Sequence, residues 1–167
     1  MNFSRLILIL CLILVYRTDN FGQFTSVSGN TFSNLIVPLS ITALSGDLNF
    51  GQILLTGVPQ NPEIKPKNGK LFEITGQPKR KVTVTYNPVI LSNSQWAATN
   101  SGQLGTMRFN PKVIKDNGKN VKSGKSIRLK REGLIGKEKL WVGGTLNVAA
   151  NQPEGDYIGL FVISVSY

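Results

Sequence analysis

The sequence lacks histidine and contains one cysteine, Cys11, among its 167 residues. This inventory excludes zinc sites built from histidine and cysteine, as well as catalytic pairs of cysteine with histidine. It also leaves Cys11 without a second cysteine in the chain, so burial and backbone hydrogen bonds must hold the fold together. No Ser-x-x-Lys motif lies in a helical context that would favour nucleophilic catalysis by serine. We therefore expect a protein that is not an enzyme and uses no cofactor or metal.

No apolar run is long enough to cross a membrane. The longest, residues 6–16, has eleven residues, whereas a transmembrane helix needs about 20. A short apolar run that follows a basic residue, here Arg5, is typical of a secretion signal. We predict a signal peptide at residues 1–22, an N-terminal extension at 23–34 and one domain at 35–167. The expected route leads through the periplasm to the cell surface or the medium.

Acidic residues are also scarce, since nine Asp and Glu stand against 19 Lys and Arg, giving a formal net charge of +10. After residue 22, every base lies between Lys65 and Lys139. Such a basic region could bind an anionic glycan or lipopolysaccharide, or it could be a solvated surface that keeps edge strands apart. The candidate contacts are Lys79, Arg80, Lys81, Lys130 and Arg131. Few aromatic residues lie among these bases, which disfavours single-stranded nucleic acid as the partner.

Short alternating apolar runs, separated by Gly, Pro and Asn, predict an all-β sandwich. The clearest run lies at residues 157–167, where alternation places Tyr157, Phe161, Ile163, Val165 and Tyr167 on one face. The predicted strands are 35–43, 48–55 with an interruption at Gly51, 63–65, 72–76, 81–86, 89–91, 126–130, 140–149 and 157–167, with a local pairing at 107–109.

The pattern also predicts how some of these strands connect. Residues 72–76 and 81–86 are expected to form a hairpin across Gln77-Pro78-Lys79, and 140–149 to form another with 157–167. Pro38 cannot donate to a ladder, so the first strand should lie at an edge or break there. The remainder of residues 87–103 is predicted to be a loop.

Few carboxylates are placed for chemistry. Glu154 and Asp156 could be a pair for glycoside hydrolysis, but Pro153 and Gly155 around them favour a polar turn. The segment 116–118, Asp-Asn-Gly, matches part of a calcium loop, yet too few carboxylates follow it to complete the coordination.

Four groups of residues carry a family resemblance when they occur in this order. They are 38–41 with 48–51 (Pro-Leu-Ser-Ile and Leu-Asn-Phe-Gly), 72–76 (Phe-Glu-Ile-Thr-Gly), 142–148 (Val-Gly-Gly-Thr-Leu-Asn-Val), and 155–159 with 165–167 (Gly-Asp-Tyr-Ile-Gly and Val-Ser-Tyr). Together they resemble a family of secreted bacterial domains of unknown function related to pilus and fimbrial subunits, including spore-coat-U and alternative chaperone-usher pilins.

The resemblance implies an immunoglobulin-like Greek-key β-sandwich, incomplete in itself and completed by a strand from another copy. Such a protein would be the structural subunit of a surface filament or fimbria, with a periplasmic chaperone and an outer-membrane assembly protein as further partners. The face of residues 157–167 would border the groove. The donor residues would be Val27, Leu35, Val37, Leu39 and Ile41.

A self-complete sandwich is the alternative, because apolar alternation is weak between residues 23 and 34. The protein would then be a monomeric secreted module for adhesion or carbohydrate binding. Trp96 or Trp141 would be its sugar platform, acting with the basic region, although a lone tryptophan more often serves packing.

Overall fold

The computed structural model of the protein describes residues 36–101 and 105–167. The predicted signal peptide, the extension at 23–34 and the donor residues Val27 and Leu35 lie outside these ranges. No helix within the two ranges has the length and apolar character needed to cross a bilayer.

The described chain is an all-β sandwich of two antiparallel sheets, as the sequence predicts. In chain order the elements are β1 (Ser40–Ala43), β2 (Glu63–Ile64), a 3-10 turn (Pro66–Asn68), β3 (Lys70–Gly76), β4 (Lys81–Tyr86), β5 (Val89–Asn93), α1 (Ser94–Thr99), β6 (Gly105–Lys115), β7 (Lys125–Arg128), β8 (Lys130–Glu132), β9 (Ile135–Asn147) and β10 (Ile163–Ser166). The larger sheet has the order β1-β3-β9-β6-β5, and β2 and β8 also pair with β9. The smaller sheet has the order β10-β4-β7.

Strand β9 organises the larger sheet, because β3 and β2 follow one of its edges while β8 and β6 follow the other. Gly143 and Gly144 permit this close pairing. A Cβ atom at Gly143 would lie 2.7 Å from the nitrogen of Pro66, and Gly144 has a φ of +146°, which side chains rarely tolerate.

Two apolar clusters fill the interior. The first lies between the sheets and contains Phe72, Ile74, Val82, Val84, Val113, Val121, Ile127, Leu129, Leu140 and Val142. The second lies against the larger sheet alone and contains Met107, Phe109, Leu146 and Val148. Phe161 packs against both clusters. Only the first cluster therefore has a strand of the smaller sheet on its far side.

The predicted hairpin of residues 72–76 and 81–86 is wrong, because β3 and β4 belong to different sheets. The turn between them carries the chain across the sandwich. The buried faces of the two strands, with Ile74 on one and Val84 on the other, consequently meet across the first cluster. Alternation alone does not distinguish strands that pair side by side from strands that face each other.

The second predicted hairpin, of residues 140–149 with 157–167, is also wrong. Strand β10 pairs with β4 in the smaller sheet, while β9 lies at the centre of the larger one. Between residues 157 and 163 the chain crosses from one sheet to the other, with a single bridge from Ile158 to Ser92 of β5.

Other elements differ in length or type from those predicted. The expected local pairing at 107–109 is part of the eleven-residue β6, whose apolar alternation is interrupted around Pro111. The expected loop contains α1, which is capped by the side chain of Asn93. Strand β1 does lie at a sheet edge with Pro38 outside it, as predicted.

Candidate functional site

Residues 48–55 form no strand and no ladder with the described chain. The side chains of Leu48, Phe50, Ile53 and Leu55 are half-buried against the second cluster, and those between them are exposed. Gly51, with a φ of +66°, shifts the alternation by one residue. Among the described residues, none forms a backbone–backbone hydrogen bond with this segment. The strand predicted at 48–55 is therefore wrong, because these residues form no ladder with the described chain, although they do present an apolar face to the second cluster.

The C-terminal segment has two apolar faces. Its inward side chains pack on the clusters as the sequence predicts, and they are Tyr157, Phe161, Ile163 and Val165. Its outward side chains include Ile158, Leu160 and Val162, which are 76%, 82% and 61% exposed.

The last of the predicted groove residues, Tyr167, is 49% exposed. Its hydroxyl accepts a hydrogen bond from the Gln77 amide at 2.9 Å and donates one to the Val37 carbonyl at 3.4 Å. Tyr167 therefore joins the end of the chain to two other segments of the domain.

A cleft of about 880 Å³ separates residues 48–55 from residues 152–158. Its floor is apolar and is formed by Leu91, Met107, Leu146 and Val148. No backbone hydrogen bond joins the two walls within the described ranges. The cleft is therefore lined by apolar side chains and by the backbone of residues 48–55, which forms no ladder with the described chain. Side chains bond two of these backbone groups, the Gly51 amide and the Leu54 carbonyl. An apolar lining and a backbone segment without a ladder are the two features that an added strand uses.

A polar network fixes the wall at 152–158. Gln152 is 8% exposed, and its amide donates to the Thr106 carbonyl at 3.0 Å and to the Tyr157 hydroxyl at 2.7 Å. The Tyr157 hydroxyl in turn donates to the Pro153 carbonyl at 2.8 Å. These hydrogen bonds, together with the backbone pairing of Ile158 with Ser92, hold the wall in place.

Asn93 anchors the same wall from β5. Its side chain is fully buried, accepts a bond from the Trp96 amide at 3.0 Å and donates to the Glu154 carbonyl at 2.8 Å. Gly155 has a φ of +123°, and a Cβ there would lie 2.5 Å from the Asn93 amide nitrogen. Sequence reasoning missed Asn93, although Asn followed by Ser-Gln-Trp is a detectable helix start.

The donor residues within the described ranges lie in the domain's own fold. Ile41 pairs with Ile74 in the β1–β3 ladder, and both Leu39 and Ile41 pack on the first cluster. Val37 accepts the bond from Tyr167 described above. The structure does not describe Val27 and Leu35.

The predicted polyanion contacts meet at one corner of the sandwich. Lys79, Arg80 and Lys81 form the crossing from β3 to β4, and backbone bonds tie Lys79 and Arg80 to Leu129, next to β8. Strand β8 carries Lys130 and Arg131, which are exposed. The chain therefore brings together two basic groups that are about 50 residues apart in sequence.

One of these bases takes part in an ion pair. Lys130 lies 3.6 Å from Glu138, a carboxylate that is 3% exposed and lies 2.9 Å from the ammonium group of Lys115. A buried carboxylate requires such partners, because an unpaired charge is costly to bury. Some bases of the basic region therefore neutralise a buried carboxylate of the domain itself.

The side chain of Trp141 contacts Lys67 and Asp116 of the same domain. The Lys67 ammonium group lies 4.9 Å from the ring centroid, and the indole nitrogen donates to Asp116 at 3.3 Å. That indole bond and the nearby Lys67 lower the pKa of Asp116 below its ordinary value of 3.8. Trp96, the other candidate platform, is half-buried on α1.

The two carboxylates considered as a catalytic pair, Glu154 and Asp156, lie close together in the chain. Glu154 and Asp156 are exposed in the segment beside the cleft, and the observed role of Glu154 is that its main-chain carbonyl accepts the Asn93 bond. Among the described residues there is no group of three or more acidic residues or cysteines placed to hold a metal ion.

A family model described as "Domain of unknown function (DUF4402)" matches residues 39–167, which include both sheets and the cleft. No curated protein shows significant similarity to the chain.

Proposed function

The chain belongs to the DUF4402 family of domains of unknown function, and from its cleft we propose that it is a structural subunit of a bacterial surface filament or fimbria, completed by a β-strand from another copy. One observation carries this proposal. The segment 48–55 presents a half-buried apolar face to the second cluster while its backbone forms no ladder with the described residues.

The physical reason is the requirement of main-chain groups for hydrogen bonds. Each backbone amide or carbonyl that is covered without a partner costs free energy, so an apolar cleft with an unpaired wall is best filled by another extended chain. Such a strand would pair with the backbone of residues 48–55, and its alternate side chains would pack against the apolar lining of the cleft. A small apolar ligand of suitable size could fill the volume but could not form a ladder.

The donor is the segment 23–35 of a second copy. Residues 37–41 belong to the subunit's own fold, so they position the donor rather than enter the neighbouring cleft. Val27 and Leu35 are the aliphatic residues of that segment. Export by the segment 1–22, a periplasmic chaperone that covers the cleft before assembly and an outer-membrane assembly protein are parts of the same proposal.

The alternative, a monomeric carbohydrate-binding module, has less support. A sugar platform requires an open aromatic face, whereas Lys67 lies over the ring of Trp141 and Trp96 is half-buried on α1.

The test combines deletion with cysteine trapping in exported protein. Deleting residues 23–34 should abolish multimers and leave a folded monomer, because the deletion spares every described strand. In a chain carrying Val27→Cys and Gln52→Cys, oxidation should yield a ladder of disulfide-linked oligomers, since a donor in the cleft brings the two positions together. Cys11 lies in the predicted signal peptide, so the exported chain would carry only the introduced thiols.

A matched control pairs Val27→Cys with Ser166→Cys, which lies on the outer face of the smaller sheet and should give no ladder. A full chain that remains monomeric at high concentration would overturn the proposal, as would multimers that survive the deletion.

A further inference from the structure

The outer face of the smaller sheet is polar and rich in hydroxyl groups. Ser126, Thr83 and Ser166 lie side by side across its three strands, and the Thr83 and Ser126 hydroxyls are 3.1 Å apart. None of the outward side chains of β4, β7 and β10 is apolar or aromatic. The face therefore offers several hydroxyl groups that can exchange hydrogen bonds with a ligand.

Two bases lie directly opposite each other in the adjacent row. Lys81 of β4 pairs in register with Arg128 of β7, and both side chains are exposed. Like charges in this arrangement destabilise a sheet. Neither base forms an ion pair with any described carboxylate, whereas Lys115, Lys130 and Lys137 of the larger sheet all do.

The crossing turn adds two more bases to this row. Lys79 has a φ of +61°, and its amide donates to the Leu129 carbonyl, beside Arg128. The Arg80 guanidinium lies 5.0 Å from the centroid of the Tyr167 ring and donates to Gln77 at 3.1 Å. Neither residue has a carboxylate partner in the described ranges. Lys79 and Arg80 therefore lie next to the Lys81–Arg128 pair at this end of the smaller sheet, and none of the four bases forms an ion pair with a described carboxylate.

We propose that this face is a binding site for a linear anionic polysaccharide, with Lys79, Lys81 and Arg128 contacting its sulfate, phosphate or carboxylate groups and the Thr83 row contacting its hydroxyls. An anion between Lys81 and Arg128 relieves their repulsion. A single-stranded nucleic acid needs stacking platforms, and none of the outward side chains of β4, β7 and β10 is aromatic. Insertion into a membrane surface needs apolar side chains, and the outward side chains of β4, β7 and β10 are polar or charged. The site does not depend on strand addition, because the cleft is formed by other residues.

The test measures binding of a size-fractionated, fluorescently labelled heparin oligosaccharide to the full exported chain by anisotropy. The affinity should fall steeply between about 50 and 200 mM salt, because released counterions contribute to the association. The variant Lys81→Ser/Arg128→Ser should bind about tenfold more weakly and with a shallower salt dependence. The control Lys65→Ser/Lys112→Ser removes the same charge from exposed bases elsewhere and should bind close to the unaltered chain.

A charge reversal separates binding from folding. Lys81→Glu places a carboxylate opposite Arg128, so the melting temperature should hold or rise while heparin binding is lost. Equal weakening by both double variants would overturn the site, and so would binding by Lys81→Glu at the original affinity. Binding of a neutral dextran as tight as that of heparin would overturn the role of charge. Binding of duplex DNA as tight as heparin, with the same loss on Lys81→Ser/Arg128→Ser, would replace the polysaccharide by nucleic acid and overturn the assignment.

Discussion

Replacing Phe161 by Ala should destabilise the domain strongly, although no backbone ladder with the described residues holds this position. Its ring lies 6.4 Å from that of Phe72, 6.3 Å from that of Tyr86 and 6.2 Å from that of Phe109, measured between centroids. It therefore joins the two clusters at the point where the chain crosses between the sheets.

The expected loss can be estimated from burial. A fully buried Phe→Ala change costs about 3–5 kcal/mol, and Phe161 is half-buried, so we expect about 2–3 kcal/mol. Urea unfolding followed by tryptophan fluorescence measures this loss. The neighbour Leu160 is 82% exposed, so Leu160→Ala should change the free energy of unfolding by less than about 0.5 kcal/mol. Equal losses from the two substitutions would refute the view that Phe161 anchors this crossing.

Two further predictions concern charged groups. Glu138→Gln leaves Lys115 beside a neutral partner and should lower the free energy of unfolding, measured in urea, by about 2–3 kcal/mol. The double variant Lys115→Met/Glu138→Leu should restore most of that loss. A double variant as unstable as Glu138→Gln would contradict the pairing. The pKa of Asp116 is lower in the folded protein than its ordinary value of 3.8. The contribution of Asp116 to stability is therefore fully present above pH 3.8 and is lost as the pH falls through the pKa of the folded state. Acid titration of tryptophan fluorescence should therefore show a transition below pH 3.8 that Asp116→Asn removes; an unchanged transition in that variant would assign it to another group.

The sequence predicted the fold class and the inward faces, because both depend on local alternation. The half-buried set at Tyr157, Phe161, Ile163 and Val165 follows directly from period two. Which strands pair with each other could not be predicted from the same alternation. Strands β3 and β4 are separated by a short turn, yet they lie in different sheets, since contacts across the core are set by the whole chain.

The cleft shows the same division between local and non-local information. The sequence predicts residues 48–55 as a strand interrupted at Gly51, and the structure shows that Leu48, Phe50, Ile53 and Leu55 form an apolar face there. That their backbone has no described ladder partner depends on where the smaller sheet ends. Likewise the opposition of Lys81 and Arg128 depends on the β4–β7 register, which no local pattern encodes.

Hydrogen–deuterium exchange of assembled and monomeric protein tests strand addition to the cleft most directly. Residues 48–55 have no ladder with the described chain, so their amides should exchange quickly in a monomer that lacks residues 23–34. In assembled full chain, exchange should slow by orders of magnitude at alternate amides of this segment, because an added strand bonds only to the groups that face it. Exchange in the outer strand β7 should be the same in both forms. Equal exchange at residues 48–55 in the two forms would contradict strand addition at this cleft.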